Sequence, residues 1–110
     1  MKGPYIMKHF ELLESIQTEK DPEIVRQLCE LDAGLAEGFK KEWAAEFPKN
    51  PELPRYPAFQ KLALYYERAG DYKAAIAICE KAIALGFTID GTKGGMKGRL
   101  DRLKRKSERK

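Results

Sequence analysis

Apolar residues recur at intervals of three and four along most of the chain, the period of a helix with one buried face. Ile6, Phe10 and Leu13 carry that spacing near the start and predict a first helix from about Pro4 to Thr18. Asp21-Pro22-Glu23 marks the start of a second. The Asp side chain caps free amides, Pro tolerates the first helical position, and Glu suits the positive end of the helix dipole. From there Val25, Leu28, Leu35, Phe39 and Trp43 follow one drifting face, which Leu31, Ala36 and Phe47 widen. Gly34 and Gly38 each weaken the middle of this stretch by about 1 kcal/mol relative to Ala, so the helix is expected to bend or break there. Pro48 ends it. No segment alternates apolar and polar residues with β-branched enrichment, so strands have no signal.

Residues 48–57 read PKNPELPRYP, with Pro48, Pro51, Pro54 and Pro57 at every third position. That spacing predicts a stiff, extended connector, with Pro57 in the first turn of the next helix. Phe59, Leu62, Ala63 and Tyr66 then form one helical face, and Tyr72, Ala75, Ile76, Cys79, Ala82 and Ile83 form another. Between them Ala69-Gly70-Asp71 reads as a tight turn, with Gly70 free to take the left-handed conformation at the helix end. Ala63, Ala75 and Ala82 let the two axes approach closely, so the product is an antiparallel helix hairpin. Met96, Leu100 and Leu103 predict a last helix over about 96–110, whose other side holds Lys97, Arg102, Lys104, Arg105 and Arg109.

The residues from Pro57 to Phe87 resemble one tetratricopeptide repeat. Phe59 stands where that family usually has Trp, Leu62-Ala63 matches its Leu-Gly pair, and Tyr66 its Tyr. Gly70, Tyr72, Ala75, Cys79 and Ala82 fall in register with the rest of the pattern, while Phe87 replaces the closing proline. A shift of 34 residues upstream places Asp32 and Lys41 where Tyr and Ala belong, so the N-terminal half is a degenerate repeat or a different helical pair. The resemblance implies an all-α fold of about four to five helices, built of antiparallel hairpins, with the C-terminal helix as a polar-faced cap. It implies a protein-interaction or scaffold module without catalysis or cofactor. Partner-binding side chains in that family come from the first helix of a hairpin, here Gln60, Lys61, Leu64, Glu67 and Arg68. Gln60 and Leu64 depart from the Lys and Asn pattern of the family's carboxylate clamps.

Length and charge sharpen this picture. A chain of 110 residues is one domain's worth, 1–110. The net charge of +4 hides an asymmetry: residues 93–110 hold nine Lys/Arg and two Asp/Glu, whereas residues 1–92 are mildly acidic. The basic segment 93–110 offers an alternative function, a nucleic-acid-associated accessory protein binding polyanions, and it has no aromatic residue for base stacking. The Gly-rich run from Gly86 to Arg99 places Gly86 and Gly91 at the spacing of a P-loop, but Thr92-Lys93 reverses the order that motif needs, and a helix precedes it. What remains is a simpler anion site: amides of Gly94 and Gly95 opening a helix, with Lys93, Lys97 and Arg99 beside them. The bland reading of the same run is a connector in which Thr92 caps the last helix.

Cys29 and Cys79 lie among apolar residues at helical spacing and read as reduced core thiols. With His9 they make a poor zinc set, so no metal is expected. The carboxylates Glu11, Glu14, Glu19, Glu23, Glu30, Glu37, Glu42 and Glu46 fall mostly on polar helix sides and read as solubilising groups. The longest apolar run, Ala74 to Cys79, is far short of a membrane span. Charges interrupt the first sixteen residues where a secretory leader needs an apolar stretch, so a cytoplasmic protein is expected. Phe39, Trp43 and Phe47 must pack inside the chain or on a second copy, and the expectation is a monomer or weak homodimer.

Overall fold

In the computed structural model, which describes residues 3–49 and 52–109, the fold is all-α. The helices run in order α1 (Pro4–Thr18), α2 (Pro22–Gly34), α3 (Ala36–Glu46), α4 (Pro57–Arg68), α5 (Tyr72–Leu85) and α6 (Gly95–Glu108). Proline opens α1, α2 and α4, where its missing N–H costs nothing. Asp21 caps α2 by accepting the Glu23 N–H at 2.9 Å, and Asp71 caps α5 by accepting the Ala74 N–H at 3.1 Å. The described residues thus hold six helices rather than four or five, because the long N-terminal helix breaks in two. At Leu35 the N–H bonds back to the Asp32 carbonyl at 3.0 Å, a tighter step than the α-helical ladder, and Phe39 restarts the ladder on the Leu35 carbonyl at 2.8 Å. Gly34, beside the break, has open space around it.

The helices cluster into two compact units, Met1–Leu53 and Pro54–Lys110, where the sequence reading has one domain. The boundary falls inside the predicted connector. Its Pro48 and Lys49 form a turn and its residues 52–56 have no regular secondary structure; Asn50 and Pro51 lie outside the described residues.

In the first unit, α1 packs on α2 and α3. Ile6, Leu12 and Ile16 of α1 are buried with Cys29 and Ala33 of α2 and Ala36 and Phe39 of α3. The buried stripe of α1 is rotated from the predicted one: His9 and Leu12 face inward, and Phe10 is exposed. Leu31 is exposed too, and Phe47 largely so, rather than widening the core face. Phe39 and Trp43 stack with ring centres 5.5 Å apart, and Trp43 meets Phe47 at 4.5 Å. Gly38 has a packing reason, since a Cβ there would stand 2.6 Å from the Tyr5 ring. Glu42 does more than solubilise: its Oε1 accepts the Ile6 N–H at 2.9 Å, so a carboxylate of α3 satisfies an orphan amide in the first turn of α1.

In the second unit, α4 and α5 pack along their lengths, and α5 packs equally on α6. The turn between α4 and α5 reverses the chain at Gly70, whose φ of 78° is the left-handed value expected of it. Ala58, Phe59, Leu62 and Ala63 of α4 and Ala75, Cys79 and Ala82 of α5 are sealed from solvent, so the small residues lie in the buried seam of the hairpin. Tyr56, Phe59 and Phe87 form an aromatic cluster with centre separations of 4.9 to 5.8 Å, closing one end of this core. Each such ring contributes about 1.5–3 kcal/mol by burial. Along α6 the buried positions are Met96, Arg99 and Leu103, with Leu100 only half-buried, so an arginine replaces a leucine in the predicted apolar stripe. No helix among the described residues is long and apolar enough to cross a membrane.

Candidate functional site

The five side chains expected to meet a partner all lie on α4 and divide into two rows. Gln60, Leu64 and Glu67 share one face by their spacing of four and three residues; Lys61, Leu64 and Arg68 share the adjoining one. Leu64, half-buried, belongs to both rows. Gln60 Oε1 accepts a hydrogen bond from Arg55 Nη2 at 2.5 Å, and Glu67 accepts one from Lys106 of α6. Cations from outside the helix thus hold both ends of the first row. Lys61 and Arg68, by contrast, are exposed. The result is an accessible leucine with two exposed cations on one side and two fixed polar groups on the other.

The residues expected to bind an anion separate into two environments. Lys93, Gly94, Gly95 and Lys97 line an open pocket of about 320 Å³ with Thr88, Ile89 and Thr92. Arg99 does not join them. It is buried, and its Nε donates to Asp90 Oδ2 at 2.7 Å. Nor is the Gly95 amide free: it donates to the Thr92 carbonyl at 3.2 Å, and the next amide, of Met96, donates to Thr88 O at 2.8 Å. Gly95 itself has φ 64°, and a Cβ there would stand 2.5 Å from Thr88 O. The loop therefore engages two of its helix-opening amides, those of Gly95 and Met96, with its own backbone. Thr92 does not cap α6 with its side chain either, because its hydroxyl and its N–H both bond Asp90 Oδ1.

Burial opposes ionisation of Asp90, but the two bonds from Thr92 and the one from Arg99 outweigh it and hold the carboxyl below its ordinary 3.8. Cys79 lies in the same core, and burial pushes its thiol up to about 11, against a smaller opposing pull from Arg99. A thiol so placed stays protonated near neutral pH and is a poor nucleophile. The two cysteines are not joined in a disulfide, and both are buried.

The first unit holds a polar pair that the spacing of residues does not reveal. His9 Nδ1 lies 2.8 and 2.9 Å from the two oxygens of Asp32, and both side chains are sealed from solvent. The His9 ring also meets Phe39 edge-on at 4.8 Å and Phe10 at 5.0 Å. The pair fastens α1 to α2 at a polar point inside an apolar core. No group of three or more His, Cys, Asp or Glu among the described residues is arranged to hold a metal ion.

Compared with known proteins, the chain matches no family model, no curated protein and no solved structure.

Proposed function

We propose that the protein is a non-catalytic interaction module of the tetratricopeptide type, which works in the cytoplasm as a monomer or weak homodimer. Its second unit receives a segment of a partner protein on α4. The observation that carries this reading is the fixed row on that helix: Gln60 and Glu67 are held by Arg55 and Lys106 on either side of an accessible Leu64. Polar groups already held in place lose little freedom when a partner docks, which favours binding. With Lys61 and Arg68 exposed alongside, the complementary segment presents an apolar side chain flanked by carboxylates.

Photo-crosslinking tests it. A photoreactive amino acid at Lys61 or Arg68 should give a discrete cross-linked product in extract of the native cell. The same probe at Glu80, exposed on α5, should not. Equal labelling at all three positions would overturn the reading.

A further inference from the structure

The exposed side of α6 is not uniformly charged. Lys97, Asp101, Lys104 and Glu108 follow one another at four, three and four residues and form a row of alternating sign. Arg102, Arg105 and Arg109 form the next row, at three and four residues, and all three are exposed. No carboxylate among the described residues pairs with them. Lys106, beyond that row, is already engaged by Glu67. Gly98 stands one turn before Arg102 in the same row, and a Cβ there would come within 3.4 Å of Arg102 Nη1, so the guanidinium lies back along the helix over a position without a side chain.

We infer that this arginine row binds the phosphate backbone of a nucleic-acid duplex without reading its sequence. From Arg102 to Arg109 the row covers about 10 Å of helix axis. Neighbours in the row stand about 5–6 Å apart, a spacing that long arginine side chains extend to successive phosphates of one strand, so the row offers one guanidinium to each of three phosphates. Arginine's fork suits a phosphate in two-point contact. The other polyanions fit less well. A single strand calls for aromatic stacking platforms, and α6 contains no aromatic residue. A membrane surface calls for an apolar face to enter the lipid, and Met96 and Leu103 are already buried in the core. An acidic peptide calls for an apolar anchor point, and the arginine row has none.

The test is fluorescence anisotropy of a labelled 24-base-pair DNA duplex titrated with the full chain between 50 and 200 mM salt. Three phosphate contacts give a slope of log affinity against log salt of about −2.7, a loss of about 40-fold across that range. The double variant Arg105→Ala, Arg109→Ala should weaken binding at 50 mM salt at least tenfold and flatten the slope to about −1. Lys73→Ala with Lys81→Ala removes two exposed cations of α5 for the same change in net charge and should leave affinity within twofold. Circular dichroism confirms that both variants fold. The inference is overturned if the duplex is not bound at 50 mM salt, or if the α5 variant loses as much as the α6 variant. Tighter binding to a single strand, to polyglutamate or to phosphatidylserine vesicles at the same salt would overturn it as well.

Discussion

Arg99 Nε donates to Asp90 Oδ2 at 2.7 Å across the loop that joins α5 to α6, and both side chains are buried. The pair holds a full positive charge inside the second unit because Asp90 is itself pinned by Thr92. Asp90→Ala leaves that charge without its partner and should cost about 3–5 kcal/mol, read as a lower urea midpoint. Asp90→Asn should have a distinct effect on pH dependence. The folded-state pKa of Asp90 is depressed, so its stabilisation is present above its ordinary 3.8 and is lost as the pH falls through the lower folded value. The wild type should therefore lose stability on acidification below about pH 4, and the Asn variant should show a shallower loss there.

Ala75 is sealed at the crossing of α4 and α5. Ala75→Leu should overpack that seam and lower stability by about 1–3 kcal/mol in thermal melts followed by circular dichroism. An unchanged midpoint would show that the axes do not approach there.

His9 and Asp32 exchange a hydrogen bond that water cannot replace, since both are buried. Asp32→Ala removes the carboxylate that His9 Nδ1 faces inside the core and should destabilise the first unit by about 1–3 kcal/mol, the cost of disturbing a buried polar group. Hydrogen exchange should report it as faster exchange of amides in α1 and α2.

Cys79, with its thiol raised to about 11, should resist iodoacetamide at pH 8 in the native protein and react once urea unfolds it. Rapid alkylation of Cys79 under native conditions would contradict its burial.

Helix boundaries were legible wherever a residue's own backbone chemistry decides them: Pro4, Asp21-Pro22, Pro57 and Gly70-Asp71 all mark what the structure shows. The orientation of helices was less so. An apolar stripe read by type favours Phe10 over His9 and Leu100 over Arg99, yet the inward residues include His9 and Arg99. Each is tolerated inside only because a carboxylate reaches it, 23 residues away for His9 and nine for Arg99, and no local spacing encodes that. Tyr56 was hidden for a related reason. It lies in the proline-rich connector, where helical periodicity has no meaning, and it is buried through its contacts with Phe59 and Phe87. The α4 row was visible as five positions on one helix, whereas its fastening by Arg55 and Lys106 depends on elements folded in from elsewhere.

The approach of Gly95 to the Thr88 carbonyl has an evolutionary consequence. Any other residue at that position meets both a left-handed backbone and an oxygen 2.5 Å from its Cβ. Changes on the surface of α6 outside the arginine row therefore leave Asp90, Gly95 and Arg99, at intervals of five and four, untouched. That three-letter spacing, set directly after an alanine-rich helix, is the feature by which descendants of the same ancestor should be recognised.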